Sequence, residues 1–263
     1  MTGSYRAILV ILLLGAFLRW SGLGPMSDML SYDEAYNGVD ALSLLRSPRL
    51  TPFLPDNHGR ESLWCYILIP FVARGGARPF ALRLAATMMG VLTMAATYRL
   101  GKELLSRPAA CWVTLALGIS QWHVHQSRTA LRAILLPLIG TLAFATLLKA
   151  RRTNKLSQWI YAGIWIGLLT YTYFSAVLWL LYALTLLVWW WFSDRGKRRG
   201  LVITFLVASL LFLPMIAYGI AHPQEIFQRP EAVRVSTLNE VWDNVRLWGK
   251  AWFQWEFLAS GGL

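Results

Sequence analysis

Acidic residues are few in this chain, 13 against 25 Lys plus Arg, and cysteines fewer still, with Cys65 and Cys111 alone. Both cysteines lie inside apolar stretches, where they read as small buried hydrophobes, not as a disulfide or a metal pair. Charge of either sign is also low, at 14% of residues, whereas a soluble domain sits near about 25%. Together with 56% hydrophobic residues and 14 Trp, this excludes an ordinary soluble domain and leaves a membrane protein of several spans. A net charge of +12 would suit a nucleic-acid partner, but the basic residues cluster briefly between apolar stretches, as the positive-inside rule places them. Membrane lipids are the expected partners, and nucleic acid is not. The chain has no P-loop, no dinucleotide fingerprint and no repeat of fixed period. His123-x-His125 is the nearest approach to a metal pair, but at i, i+2 the two point to different helix faces. They read as interfacial histidines beside Trp122.

Apolar runs set the architecture. The first, Ala7 to Leu23, lacks a small-x-small cleavage site at Phe17-Leu18-Arg19-Trp20, so it reads as an uncleaved helix with Arg19 snorkelling outward. Later runs cover Pro79–Arg99, Ala109–Gln126, Ala130–Ala150, Ser157–Phe174, Ala176–Phe192 and Leu201–Ala221, each near the length needed to cross about 30 Å of hydrocarbon. The stretch Ser157 to Phe192, too long for one helix, is divided at Thr170-Tyr171-Thr172-Tyr173, whose polar aromatics suit an interface. The segment Glu61–Ala73 is too short to cross and reads as interfacial or re-entrant. With that segment not spanning, the basic clusters Arg99–Arg107, Lys149–Lys155 and Arg195–Arg199 all face the cytoplasm, as the charge rule requires.

The expected fold is therefore an all-α polytopic membrane protein of about seven helices. Its N-terminus is cytoplasmic, and a long external loop from Ser21 to Arg78 bears juxtamembrane helices. Residues 1–221 form the membrane domain. Residues 222–263 form an external amphipathic tail, in which Thr237-x-x-Glu240 is a capping box ahead of Trp242, Trp248 and Trp252 at helical spacing. The chain stops at Ser260-Gly261-Gly262-Leu263 without a closing element, as a truncated protein would. Six of the acids, Asp28, Asp33, Glu34, Asp40, Asp56 and Glu61, sit in the first loop. A carboxylate beside a bilayer must be hydrated, paired or put to use.

Five short motifs carry a resemblance. They are Tyr32-Asp33-Glu34-Ala35, Asn57-His58-Gly59-Arg60-Glu61-Ser62-Leu63, Ala81-Leu82-Arg83-Leu84, Trp122-His123-x-x-Gln126-Ser127-Arg128, and Leu169-Thr170-Tyr171-Thr172-Tyr173. In that order, on that topology, the chain resembles the N-terminal part of the polyprenol-phosphate-sugar-dependent membrane glycosyltransferases. This is the GT-C group, with protein O-mannosyltransferases (dolichyl-phosphate-mannose-protein mannosyltransferases) and aminoarabinose transferases among its members.

The resemblance implies an inverting glycosyltransferase that moves a sugar from a polyprenyl-phosphate carrier to a protein, lipid or glycan acceptor at the external face of a plasma membrane. Asp33 would be the catalytic base, its alternative being the N-cap of a helix Ala35–Leu45. Glu34 would orient the acceptor, or else be a solvated neighbour. Arg83, Arg128 and Arg132 at external helix ends would bind the donor phosphate, or else snorkel to headgroups. Glu61 would lie near the donor, or else pair with Arg60 or Arg83; Ser62 follows it where the family has proline. His58, Tyr171 and Tyr173 would line the substrate site. The donor itself is the one expected cofactor-like group. Metal dependence varies within the family, so a divalent ion stays open, though the sequence holds no convincing carboxylate cage. The competing classes are a lipid or solute transporter, disfavoured by span interiors nearly free of acids, and a non-catalytic or degenerate relative.

Overall fold

The computed structural model describes residues 3–23 and 29–226; Asp28 and the tail beyond residue 226, including the expected capping box, lie outside the described residues. Among the described residues the main α-helices run in order: α1 Gly3–Trp20, α2 Tyr32–Arg46, α3 Leu63–Gly75, α4 Pro79–Leu104, α5 Arg107–Ile119, α6 Gln121–Gln126, α7 Leu135–Thr153, α8 Leu156–Leu169, α9 Ala176–Ser193 and α10 Arg198–Ala221. Between α2 and α3, strands β1 Phe53–Leu54 and β2 Arg60–Glu61 pair antiparallel, with Leu54 opposite Arg60. The protein is an all-α membrane protein. Among the described residues four helical stretches, Pro79–Leu104, Arg132–Thr153, Ala176–Ser193 and Arg195–Ala221, are long and apolar enough to cross a bilayer. Their outer faces carry exposed Leu178, Trp189, Phe192, Phe205, Leu206 and Leu210, surface that only lipid or further protein would cover favourably.

The two largest apolar clusters among the described residues hold most of the helices. One, around Phe144, Leu147, Trp159, Leu169 and Trp190, joins α7, α8, α9 and α10. The other, around Trp64, Leu68, Leu82, Ala85 and Leu135, packs α2 and α3 onto α4 and the start of α7. Helices α8 and α10 approach through Gly163 and Gly167, a small-xxx-small pair. A methyl group added at Gly163 would meet the Thr204 carbonyl at 2.7 Å, so only glycine permits this crossing.

Several sequence expectations need correction. The run Ala109–Gln126 is broken: α5 stops at Ile119 and α6 restarts past Ser120. Helix α8 ends at Leu169, short of Phe174, and at 14 residues it rises only about 21 Å. Arg19 does not snorkel. It is fully buried, because the broken α5 leaves carbonyls without helical partners and the guanidinium supplies them. Its Nη1 donates to Gly118 O and to Gly15 O, both at 2.9 Å, and its Nη2 reaches Leu117 O at 3.5 Å. Its Nε donates to Ser127 Oγ at 3.2 Å. His123 is buried too, not interfacial: its Nδ1 lies 2.6 Å from Arg19 Nη2 and must accept, since arginine only donates. Arg19 thus ties α1 to the helix break and to the polar turn that follows α6.

Candidate functional site

Helix α2 begins three residues before the expected Ala35, and its cap is Ser31, not Asp33. Ser31 and Glu34 form a full capping box, in which Glu34 Oε2 accepts from Ser31 N and Oγ, each at 3.1 Å. Glu34 is no solvated neighbour: it is 2% exposed. Arg83 on α4 donates from Nε to Glu34 Oε1 at 3.0 Å and from Nη2 to Oε2 at 3.2 Å. The backbone N–H of Ala130 adds a bond to Oε1 at 2.9 Å. Burial alone pushes the Glu34 carboxyl upward, but Arg83, Ala130 and Ser31 outweigh it and hold the group below the ordinary glutamate value.

The same frame is repeated nearby. Arg60 on β2 meets Asp40 on α2 at 2.6 Å, with both side chains buried. Burial raises the Asp40 carboxyl above the ordinary aspartate value against the pull of Arg60. Glu61 pairs with Arg132 at 3.1 Å, not with the expected Arg60 or Arg83. Arg132 also lies over the Tyr173 ring, at 5.3 Å from its centre. The turn between α6 and α7 is the hub. Ala130 O accepts from Asn37 Nδ2 and from Trp64 Nε1, both at 3.0 Å, and Ser127 O accepts from Thr87 at 3.1 Å. Three ion pairs and these bonds therefore fasten α2, α3, α4 and the turn before α7 into one polar block.

Against this block Asp33 stands apart. One residue from Glu34 is about 100° around a helix, so burying Glu34 turns Asp33 outward, and its side chain is exposed. Its Oδ1 accepts from Asn57 Nδ2 at 3.0 Å. Of the expected site residues, Glu34, Glu61, Arg83, Arg132 and Tyr173 converge on the block. His58 is exposed in the loop beside Asn57. Arg128 lies on the same turn and, among the described residues, makes no ion pair. Tyr171 is drawn elsewhere: its hydroxyl donates to Leu211 O on α10 at 2.6 Å. Ser62, standing where a proline was expected, donates to Thr51 O at 2.6 Å and fixes the chain entering α3. Sequence reasoning missed Asn37, Asp40 and Asn57. The first two share the buried face of α2 with Glu34, Ala41 and Leu44, but polar members of a helical stripe do not register as hydrophobic periodicity. Among the described residues no three His, Cys, Asp or Glu side chains group as a metal cage.

Comparison with known proteins agrees with this architecture. The structure resembles the oligosaccharyltransferase of Archaeoglobus fulgidus in its apo form, with a TM-score of 0.66 and 19% identity, over 81% of this chain and 29% of that one. The same enzyme in complex with zinc and sulfate gives 0.65 and 18% identity, over 79% and 31%. In complex with an inhibitory peptide and a dolichol-phosphate it gives 0.66 and 18% identity, over 81% and 29%. At this identity the likeness is one of fold, and the chain spans less than a third of the enzyme it resembles. No curated protein matches the sequence. The sequence model of the dolichyl-phosphate-mannose-protein mannosyltransferases matches residues 63–218, which takes in Arg83, Arg128, Arg132, Tyr171 and Tyr173 and begins after Asp33, Glu34, His58 and Glu61. That match covers more than half of the sequence, and the chain belongs to the dolichyl-phosphate-mannose-protein mannosyltransferase family.

Proposed function

We propose that the protein is an inverting glycosyltransferase that moves a sugar from a polyprenyl-phosphate carrier to an acceptor at the outer face of a membrane, with Asp33 as general base. The carrying observation is the contrast at the start of α2: Glu34 is buried on Arg83, whereas Asp33 is exposed beside it and, among the described residues, meets no cation at hydrogen-bond distance. A carboxylate left free of arginine, on a helix end fixed by its neighbour, can take a proton without moving. Asp33 accepts the proton of the acceptor hydroxyl. The acceptor oxygen bonds to the anomeric carbon from the face opposite the phosphate, the carbon–oxygen bond to phosphate breaks, and polyprenyl phosphate leaves with the electron pair. Positive charge spread over the sugar ring in the transition state is stabilised by a nearby anion.

Leaving phosphate needs cations. Arg128 is the first candidate, because its charge has no acidic partner among the described residues and a guanidinium fork matches two phosphate oxygens. Arg83 and Arg132 add positive charge around the same turn while each holds a carboxylate. Family membership supports a lipid-linked donor, and the Archaeoglobus enzyme's complexes with dolichol-phosphate and with an acceptor peptide carrying an NVT sequon support a protein acceptor. In this reading the apolar runs make seven spans, the charge bias of the loops sets the N-terminus in the cytoplasm, and the membrane is a plasma membrane. The test is transfer of radiolabelled sugar from a panel of polyprenyl-phosphate sugars by wild type and Asp33→Asn. Transfer lost in a folded Asp33→Asn protein is the expected result; transfer retained removes Asp33 from the mechanism.

A further inference from the structure

We infer that Asn57 is a positioning residue that fixes the Asp33 carboxylate for proton abstraction, an inference that rests on the reading of Asp33 as base. Asn57 sits in the five-residue loop between β1 and β2, where three successive residues are left-handed: Asn57 at φ 53°, His58 at 60° and Gly59 at 78°. Left-handed backbone costs an L-residue roughly 1–2 kcal/mol, and asparagine tolerates it better than most. A loop keeps such a run only when its surroundings over-determine it.

Both ends of this loop are so determined. At one end Phe53 packs on Tyr218, ring centres 5.7 Å apart, and a side chain at Gly59 would lie 2.6 Å from the Phe53 ring. At the other end Arg60 is clamped by Asp40. Between them the Asn57 side chain has, among the described residues, a single hydrogen-bond target, Asp33 Oδ1 at 3.0 Å. An ionised carboxylate only accepts, so the amide must present its NH2 group. Among the described residues the second oxygen, Oδ2, has no hydrogen-bond partner, which leaves it for the acceptor proton.

The choice of donor matters. Glu34, Asp40 and Glu61 are each held by an arginine and buried, whereas Asp33 is held by a neutral amide and exposed. An amide fixes the direction of the carboxylate without cancelling its charge, which is what orientation of a base requires.

The test compares wild type, Asn57→Gly, Asn57→Asp and Asp33→Asn in the intact protein reconstituted with lipid. Glycine keeps the left-handed backbone and removes the amide; aspartate keeps the size and replaces the donor with a repelling carboxylate. Asn57→Gly should lower kcat roughly 10- to 100-fold with KM for donor and acceptor, and the unfolding temperature, unchanged. Asn57→Asp should fall further. Wild-type kcat in Asn57→Gly, with Asp33→Asn inactive, overturns the role of Asn57 and leaves the base in place. A loss that appears instead as raised KM or a lowered unfolding temperature makes Asn57 a loop prop and likewise overturns it. Activity retained in Asp33→Asn removes the base, and this inference with it.

Discussion

Glu34 and Arg83, 49 residues apart in sequence, meet at 3.0 Å with both side chains out of water. Taking one partner away strands a buried charge, which typically costs about 3–5 kcal/mol, whereas replacing both with apolar groups of similar volume is often near neutral. Glu34→Ala and Arg83→Ala should each lower the unfolding temperature sharply, and Glu34→Leu/Arg83→Met should recover most of the loss. Additive losses across that double-mutant cycle would mean that the two residues do not act as a pair.

The two buried carboxylates of α2 titrate with opposite sign. Glu34 is held below its ordinary value of 4.5, so the folded state binds its proton less readily than the unfolded chain. Its stabilisation is fully present above about pH 4.5 and is lost as pH falls through the lower folded value. Asp40 is raised above 3.8, so stability contributed by its proton declines as pH climbs from about 3.8 through the folded value. Stability measured against pH should therefore lose its steep acid fall in Glu34→Gln, and Asp40→Asn should remove the opposing slope.

Arg19 reaches two carbonyls near the end of α5, a serine hydroxyl and a histidine ring from inside the bundle. Arg19→Met keeps the apolar stem and removes the fork. It should cost at least about 2 kcal/mol, because buried acceptors lose charge-assisted bonds. Thermal unfolding in detergent checks this; an unchanged midpoint would restore the snorkelling picture.

Arg128 and Arg83 should separate when tested for donor binding. Arg128→Gln breaks no ion pair among the described residues, so it should raise KM for the lipid donor at least tenfold while leaving the unfolding temperature alone. Arg83→Gln should lower stability first. Equal effects of the two substitutions on stability would argue against Arg128 as the phosphate ligand.

Gly163 has no room for a side chain beneath Thr204 and Val207. Gly163→Val should destabilise the α8–α10 contact by about 1–3 kcal/mol through overpacking. Protease sensitivity of the loop between α8 and α9 offers a simple readout.

Much of the fold was legible in the sequence because a bilayer imposes one strong rule, an apolar run of fixed length. Helices α4, α7, α9 and α10 follow from that rule with boundaries within about five residues, and so does α3 as a segment too short to cross. The adjacent Asp33 and Glu34 were visible for a related reason, since acids beside a membrane are scarce enough to stand out. What composition could not reveal is which acid goes inside. A single residue step around α2 buries Glu34 on Arg83 and exposes Asp33, and that rotation is set by α4 and the Ala130 turn, distant in sequence.

Arg19, Asp40, Arg60, Glu61 and Arg132 follow the same logic. Run length and charge bias, properties of the chain by itself, determine that it is a bundle of membrane helices with an acid-rich first loop. Which carboxylate each arginine neutralises, and therefore which one is left exposed, depends on contacts between residues 20 to about 70 positions apart. Only the packed helices decide that, because a charge is buried where its partner happens to be brought, not where local sequence places it.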